Sequence, residues 1–184
     1  ADLFLVLLMK ILKPGGRAGL VLPDGTLFGE GVKTRIKEAL LTECNLHTIV
    51  RLPNGVFNPY TGIRTNLLFF TKGQPTTEVW YYEHKLPEGI KAYNKTKPIR
   101  VEEFDPIKEW WDNRKESVVA WKVTIDEIEK RGYNLDIKNP NAKAEDELNP
   151  AEVLETYRAK KQETQKILEQ IKEVLTDALK EHEG

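Results

Sequence analysis

The sequence contains few of the residues that build metal sites and disulfides. Cys44 is the single cysteine among 184 residues, which excludes an internal disulfide and a zinc site made of cysteines. The three histidines, His47, His84 and His182, are scattered without metal-ligand spacing, so we predict no metal site. Cys44 ends an apolar helical pattern and is expected to be a buried, unreactive thiol.

The sequence also lacks long apolar runs and an excess of charge of one sign. No run approaches the roughly 20 apolar residues of a membrane span, and no secretory signal is visible. We therefore expect a soluble, cytoplasmic protein without a membrane contact. The formal net charge is -1, so bulk charge does not indicate nucleic-acid binding, although a local basic or aromatic site is compatible with it.

Methionine is equally scarce, and the chain begins within an apolar pattern that has helix-like spacing. Its first residues, ADLFLVLLMKILKPGG, are already apolar with helix-like spacing, and the first methionine is Met9. We therefore expect the downstream piece of a longer protein.

Helix and strand patterns alternate over the first third of the chain. Residues 3–12 are apolar and end at the helix stop Lys13-Pro14-Gly15-Gly16. Helical spacing recurs over 32–44. Apolar runs at 17–22, 46–52, 66–71 and 79–83 predict strands, and Pro23-Asp24-Gly25 breaks the first of them.

The connections between these elements predict the strand directions. A helix joins strands 17–22 and 46–52, so these strands are expected to be parallel neighbours. The connection from 46–52 to 66–71 is too short for another crossover, so strand 66–71 must return antiparallel. The prediction is an open, mostly parallel α/β sheet with one reversed strand near its edge.

The loop over 53–66 is longer than a hairpin requires. Hairpin loops hold about two to five residues, whereas this one carries Phe57, Tyr60 and Arg64. Because its preceding strand is parallel to strand 17–22, the loop leaves the same carboxyl edge as Asp24, which is expected to shape the neighbouring turn. Ligands of open α/β sheets bind along that edge, so this loop is the candidate binding site.

The remaining sequence predicts a connector and a long helix. We expect residues 1–85 to form the main domain and residues 86–148 to form an irregular α+β connector packed on it. The aromatic residues of this connector are interpreted as packing residues rather than ligand-binding ones: Trp110, Trp111, Trp121 and Tyr133.

Residues 149–184 predict a single helix. Asn149, Pro150 and Glu152 form a helix-start signal. Apolar positions then follow at spacings typical of a heptad, interrupted by Lys161 and Thr164: Leu154, Tyr157, Leu168, Ile171, Leu175 and Ala178. Such a helix would be about 45–50 Å long, and it either packs on its own domain or pairs with another chain.

Four phrases of the sequence together resemble one family: KPGGRAGLVLPDGTLF, LHTIVRLPNGVFNPYTGIRTNLLFFTKG, VWYYE and YNLDIKNPN. They resemble the modification (M) subunit of type I restriction–modification systems, an adenine-N6 DNA methyltransferase that uses S-adenosylmethionine. The resemblance implies the C-terminal half of a class I, Rossmann-like methyltransferase sheet with a late reversed strand, followed by a helical C-terminal region. It also implies DNA as substrate and the specificity (S) and restriction (R) subunits as partners.

The motifs that carry the chemistry of this family are missing from the sequence. Its cofactor loop follows a strand, whereas the glycines of Gly15–Gly19 precede one. Asn58-Pro59-Tyr60 imitates the catalytic Asn-Pro-Pro-aromatic motif, but it lacks the second proline and lies in the wrong loop, so we interpret it as an Asn-Pro turn. We predict no catalytic residue in this chain, no bound S-adenosylmethionine and no activity in isolation.

The resemblance does imply residues of the target-base pocket. A base that reaches such a site has left the DNA stack, and an aromatic face replaces its lost stacking. Related adenine methyltransferases place an aromatic residue in the corresponding loop, and Phe57 matches it, with Tyr60 as a weaker candidate. Asn58 and Arg64 are expected to contact phosphate.

The resemblance also favours a partner-binding role for the tail, because the C-terminal helices of M subunits dock against helices of the S subunit. The residues implied are Leu154, Tyr157, Leu168, Ile171 and Leu175.

Three alternatives stay open at this point. The chain is alternatively a non-catalytic interaction module that presents the coiled-coil helix to partner subunits. It is alternatively part of a methyltransferase that acts on RNA or protein. Within the loop, Phe57 is alternatively a hydrophobic residue folded onto the core and Arg64 a plain surface charge.

Overall fold

The computed structural model describes residues 2–90, 92–141 and 150–182, and in the last range it describes the side chains of 154, 155 and 157–172. The chain divides into two units, Ala1–Ala142 and Lys143–Gly184. The further division of the first unit at residue 85 stays a prediction.

The predicted helices and strands follow one another in the predicted order, whereas the elements between residues 86 and 148 were predicted only as an irregular α+β connector. In chain order, all the helices and strands among the described residues are α1 (Asp2–Ile11), β1 (Arg17–Pro23), α2 (Asp24–Phe28), α3 (Val32–Glu43), β2 (Cys44–Arg51), β3 (Thr65–Lys72), β4 (Glu78–Glu83), a 3-10 helix (Val101–Phe104), α4 (Asp105–Asp112), β5 (Ala120–Thr124), α5 (Ile125–Lys130) and α6 (Pro150–His182).

The short helix α2 was not predicted, because its sequence was interpreted as a strand break. A tertiary contact explains it: the buried Lys37 ammonium donates to the carbonyls of Leu27 and Gly29, both at 2.8 Å, at the end of α2.

The strand order of the sheet corrects one expectation. The order is β1-β3-β2-β4-β5, so β1 and β2 share a direction but are not neighbours. The reversed strand β3 lies between them and is antiparallel to both, with Phe70 opposite Ala18 on one side and Leu46 on the other. By inserting there, β3 hydrogen-bonds along both of its edges instead of one.

The parallel character of the sheet is also smaller than predicted. Strands β1, β2 and β4 run in one direction, and β3 and β5 run in the other, so two strands are reversed where one was predicted. The only parallel pairing in the described part of the chain is β2 with β4. The predicted fold class is nevertheless confirmed, because this is a mixed α/β sheet with a reversed strand next to the edge strand.

Two apolar clusters cover opposite faces of the sheet. The main cluster includes Leu5 of α1, Leu40 of α3 and Ile128 of α5, all packed on strand residues such as Ile49. The adjacent Val50 belongs to the second cluster, with Ile107 of α4, because successive side chains of a strand point to opposite faces. Burying each such side chain contributes about 1.5–3 kcal/mol.

The residues predicted to pack do so. Trp110 and Trp111 pack against the second cluster, while Trp121 is buried in the main cluster and Tyr133 packs against it. Cys44 is buried as predicted, and burial raises the pKa of its thiol.

Two further sequence expectations concern membranes and metals. Among the described residues, no helix has the length and apolar character that crossing a membrane requires. The same residues contain no group of three or more histidine, cysteine or acidic side chains arranged to hold a metal ion.

Candidate functional site at the carboxyl edge of the sheet

The loop from Leu52 to Arg64 lies at the end of the sheet where its parallel strands finish. Strands β1, β2 and β4 end at Pro23, Arg51 and Glu83, and β3 begins there at Thr65. The register pairs Pro23 with Thr65 and Arg51 with Glu83. We call this end the carboxyl edge. The loop therefore lies at the predicted end of the sheet, beside the start of helix α2 at Asp24, whose N–H donates to the Arg64 carbonyl at 3.0 Å.

The loop is shaped by its own hydrogen bonds. Gly55 adopts a φ of 85°, a left-handed conformation that favours glycine. The N–H of Asn58 donates to the Gly55 carbonyl at 3.0 Å, and the N–H of Tyr60 donates to the Phe57 carbonyl at 2.9 Å. Residues 54–60 therefore form consecutive turns rather than an extended hairpin tip.

The side chains of the loop separate into inward and outward sets. Val56 packs against the second apolar cluster. Phe57 is 40% exposed and Tyr60 is 92% exposed. Ile63 is exposed as well, and it is a residue that the sequence reasoning missed. Exposed apolar side chains grouped on one loop mark an interaction surface more often than scattered ones do.

The two polar candidates in the loop are both engaged within the protein. The Nδ2 of Asn58 donates to the main-chain carbonyl of Tyr93 at 3.2 Å, and the peptide bond between Asn58 and Pro59 is cis. Arg64 is exposed, and its Nε donates to Oδ1 of Asn54 at 2.7 Å. The cation therefore stays at the surface, whereas the Asn58 amide is directed onto the protein.

Buried polar side chains lie at the start of β3, directly beside the loop. Nδ2 of Asn66 donates to Oδ1 of Asp24 at 2.6 Å, which links β3 to the first residue of α2. Oδ1 of Asn66 and Oγ1 of Thr65 are buried without a hydrogen-bond partner among the described residues. Buried polar atoms are rarely left unpaired, so this edge is a place where a further polar contact is expected.

The phrase YNLDIKNPN crosses the same edge. Arg51 at the end of β2 donates to Asp136 at 2.6 Å and to the Ile137 carbonyl at 2.9 Å. Asn139 donates to Glu83 at the end of β4 at 2.9 Å. The segment therefore binds the last residues of two neighbouring strands and helps to hold the carboxyl edge.

A buried polar network next to the loop was missed by the sequence reasoning. The hydroxyl of Tyr93 donates to Glu103 and lies 3.2 Å from Nε2 of His84. Burial is the main cause that lowers the pKa of His84, partly opposed by the Glu103 carboxylate. Burial and the Glu103 carboxylate together raise the pKa of Tyr93, so the phenol remains a hydrogen-bond donor. No sequence motif marks these three residues, because His84, Tyr93 and Glu103 come from separate segments and follow no regular spacing.

The glycines that precede β1 do not fit a cofactor loop. The N–H of Gly15 donates to the Lys72 carbonyl at 2.8 Å, and the N–H of Lys72 donates to the Gly16 carbonyl at 2.9 Å. Lys72 is the last residue of β3, so these glycines lie at the end of the sheet opposite the carboxyl edge. They join α1, β1 and β3.

Helix α6 places the described tail candidates at its surface. The side chains of Leu154, Tyr157, Leu168 and Ile171 are exposed, as is Ile167. Leu175 lies in the helix, but its side chain is outside the described residues.

The fold and the edge together define a class of protein. A mixed α/β sheet with a reversed strand, whose aromatic-bearing loop lies at the carboxyl ends of its strands, is suited to bind a ligand along that edge. The model of the N-6 DNA Methylase family matches residues 1–148, and the chain belongs to this family.

Methylase subunits of type I restriction enzymes are among its similar relatives. The chain is 56% identical over 191 residues to the EcoEI methylase subunit of Escherichia coli, an alignment that covers 100% of this chain and 39% of that protein. A solved type I restriction–modification structure, concerned with complex assembly and conformational transition, is 41% identical with a TM-score of 0.73 over 96% of this chain and 39% of the other. The EcoKI M protein is 27% identical with a TM-score of 0.65, over 74% of this chain and 37% of its own.

These similarities confirm the resemblance to M subunits. The chain spans 39% of the length of its EcoEI relative.

Proposed function

We propose that this chain is part of a site-specific DNA adenine-N6 methyltransferase, the M subunit of a type I restriction–modification system. The full-length protein would transfer a methyl group from S-adenosylmethionine to adenine in DNA, in the cytoplasm. Family membership and the methylase subunits among its relatives support this proposal. The part described above would supply one wall of the target-base pocket and a subunit-docking helix.

The observation that carries the pocket proposal is the position of Phe57. It is exposed on a loop whose two ends join β2 and β3 at the carboxyl edge, while the preceding Val56 packs inward. The alternative in which Phe57 folds onto the core is disfavoured by that exposure. An adenine that leaves the DNA duplex needs an aromatic face to replace its stacking, and Phe57 would supply that face.

The other candidate residues of the loop would contribute to DNA binding to different degrees. Arg64 is exposed at the end of the loop and would contact a phosphate of the DNA backbone. Asn58 would have to give up its bond to Tyr93 to offer its amide nitrogen. Tyr60 is the more exposed aromatic residue, and we propose it as a secondary stacking partner.

Substitution of Phe57 in the full-length protein tests the pocket. Stacking on one base contributes about 1–3 kcal/mol, so Phe57→Ala should lower kcat/KM for methylation by about 5- to 150-fold. Phe57→Tyr should retain most activity because it keeps the aromatic face, whereas Phe57→Leu should not, although it keeps an apolar side chain. Fluorescence of 2-aminopurine at the target position would report base unstacking directly.

The outcomes separate the hypotheses. Normal methylation and normal 2-aminopurine fluorescence in Phe57→Ala would refute the stacking role. Equal losses in the tyrosine and leucine variants would show that the loop acts through packing alone. Methylation of RNA or protein in place of DNA would favour the alternative methyltransferase hypothesis.

We propose further that this chain is inactive in isolation and binds no S-adenosylmethionine by itself. The glycines that superficially match a cofactor loop lie at the wrong end of the sheet, and the side-chain amide of Asn58 donates to the Tyr93 carbonyl. Incubation of the isolated chain with labelled cofactor and DNA should give no methyl transfer, and detectable transfer would overturn this proposal.

Helix α6 would dock against helices of the S subunit within an assembly that also contains the R subunit. Positions 154, 157, 161, 164, 168 and 171 follow one another at alternating spacings of three and four, the pattern of a helix-pairing seam. Four of them carry exposed apolar or aromatic side chains, Leu154, Tyr157, Leu168 and Ile171, and Lys161 and Thr164 interrupt the seam. We include Leu175 in this surface from its sequence position.

Charge substitutions on α6 test the docking surface. Leu168→Asp with Ile171→Asp should abolish co-purification of the full-length protein with the S subunit, because two charges would be buried in an apolar contact. Gln162→Asp with Lys166→Asp, on other positions of the same exposed helix, is the matched control and should assemble normally. Normal assembly of the first variant would refute the proposed surface. Lost assembly combined with a silent Phe57→Ala would favour the non-catalytic interaction module.

A further inference from the structure

Tyr93 is a buried residue in an exposed stretch of chain. It lies between β4 and the 3-10 helix, and its described neighbours from Asn94 to Pro98 are exposed, whereas Tyr93 itself is fully buried. A phenol in such a place usually has a defined hydrogen-bond partner, and its surroundings show what it connects.

The hydroxyl end of Tyr93 is held by two elements of the first unit. It donates to the carboxylate of Glu103 in the 3-10 helix, and it lies 3.2 Å from Nε2 of His84. Glu103 also accepts the N–H of Arg100 at 2.8 Å. The ring of His84 stacks on Phe104 at 5.3 Å between centroids, and the main-chain N–H of His84 donates to the carbonyl of Arg51 at 2.9 Å. The phenol is therefore tied to the end of β2 and to the 3-10 helix.

The main chain of Tyr93 meets the loop at residues on both sides of Phe57. On one side, a Cβ added to Gly55 would lie 2.8 Å from the Tyr93 carbonyl oxygen, so the two backbones are in close contact. On the other side, Nδ2 of Asn58 donates to the same oxygen at 3.2 Å. Among the described residues, this is the only hydrogen bond that joins residues 53–63 to a part of the chain outside the loop from Leu52 to Arg64.

We infer that Tyr93 and Asn58 are positioning residues that hold the loop so that Phe57 faces the target base. This inference rests on the stacking role proposed for Phe57, and it assigns Asn58 to the protein rather than to DNA phosphate. The phenol fixes the Tyr93 backbone through Glu103 and His84, and the Tyr93 carbonyl then fixes the loop through Asn58.

The experiment removes, one at a time and in the full-length protein, the contacts of the Tyr93 hydroxyl and the bond from Asn58 to the Tyr93 carbonyl. Tyr93→Phe deletes only the hydroxyl, and Asn58→Ala deletes only the loop's bond. Asn58→Ala loses one hydrogen bond, and Tyr93→Phe loses the contacts of its hydroxyl to Glu103 and His84. Chymotrypsin should therefore cleave the native loop after Phe57 or Tyr60 about 3- to 10-fold faster in either variant. Methylation should fall by a similar factor in kcat/KM, and the 2-aminopurine signal should weaken.

Thr42→Ala is the matched control, since it deletes one exposed hydroxyl that donates to the Glu38 carbonyl within α3, at the end of the sheet opposite the carboxyl edge. It should leave loop cleavage and methylation unchanged. Measuring the melting temperature of every variant separates loop loosening from general unfolding, and Asn58→Ala tests the inference even if Tyr93→Phe folds poorly.

The failures of the two proposals are distinguishable. Unchanged loop cleavage and methylation in Asn58→Ala and Tyr93→Phe, together with impaired Phe57→Ala, would overturn the positioning inference alone. Faster loop cleavage in Asn58→Ala and Tyr93→Phe, with normal methylation in these two variants and in Phe57→Ala, would overturn the role of Phe57 and, with it, the purpose assigned to the network. Faster loop cleavage in the first two variants, with impaired methylation in all three, would support both proposals.

Discussion

The two units of the chain use similar apolar residues in opposite ways. In the sheet unit, Leu40 of helix α3 is completely buried against the strands. In α6, Leu168 occupies an equally helical position and is 50% exposed. Both helices carry apolar residues at helical spacing, so amphipathicity alone does not say whether a helix completes a core or remains available to a partner. In the sheet unit, the strands supply the surface that buries the apolar face of α3.

The largest expected contrast comes from the same substitution in the two helices. Leu40→Ala should lower the free energy of unfolding by about 2–5 kcal/mol, since it leaves a cavity in a packed core. Leu168→Ala should change it by less than about 0.5 kcal/mol in the unassembled chain. Urea denaturation monitored by tryptophan fluorescence measures both. A large loss in Leu168→Ala would show that α6 packs on its own domain.

A second matched pair compares threonines. Oγ1 of Thr76 donates to the Cys44 carbonyl and accepts the N–H of Leu46, each at 2.8 Å and buried. Thr76→Ala should therefore cost about 2–3 kcal/mol, because two buried backbone groups lose their partner. In α6, Oγ1 of Thr164 donates to the Lys160 carbonyl one turn earlier. Thr164→Ala should stabilise that helix by about 0.5 kcal/mol.

Hydrogen exchange resolves the two threonine effects by segment. Exchange should speed up in β2 for Thr76→Ala and slow down in α6 for Thr164→Ala, while Thr76→Ser should stay close to the parent protein. Faster exchange in α6 after Thr164→Ala would contradict the view that its stability is local.

Acid should weaken the sheet unit through His47. Burial, with a smaller contribution from the charge of Arg114, lowers the pKa of His47 to about 4. The unfolded chain therefore binds more protons between the ordinary histidine pKa, about 6.5, and the folded value. Stability from the neutral form is complete above that range and is lost as the pH falls through it, by about 1–3 kcal/mol.

His47→Gln is the control for this titration, because glutamine keeps a polar side chain that does not ionise. Urea midpoints measured between pH 7 and pH 4 should fall less steeply in this variant than in the parent protein. Equal slopes would show that other groups account for the acid sensitivity.

The position of the site was predictable from the sequence, and its construction was not. The direction of β2 and the shortness of its connection to β3 placed Phe57, Tyr60 and Arg64 at the carboxyl edge. The sequence could not reveal that β3 lies between β1 and β2, because local patterns specify strand direction but not which strands become neighbours. It also could not reveal Tyr93, which is followed by the polar residues 94–97 and whose partners His84 and Glu103 come from separate segments.

The sequence by itself determined most of the helices and strands, the family and the aromatic loop, since these follow from short-range periodicity and from phrases such as LPNGVFNPYTGIRTNLLFF. Only the tertiary structure decided the strand order, the formation of α2 on Lys37, and the attachment of the loop to Tyr93. The physical reason is the range of the interactions involved. Helical and strand patterns are written in neighbouring residues, whereas a buried ammonium, an inserted strand or a carbonyl beneath a loop depends on residues that only folding brings together.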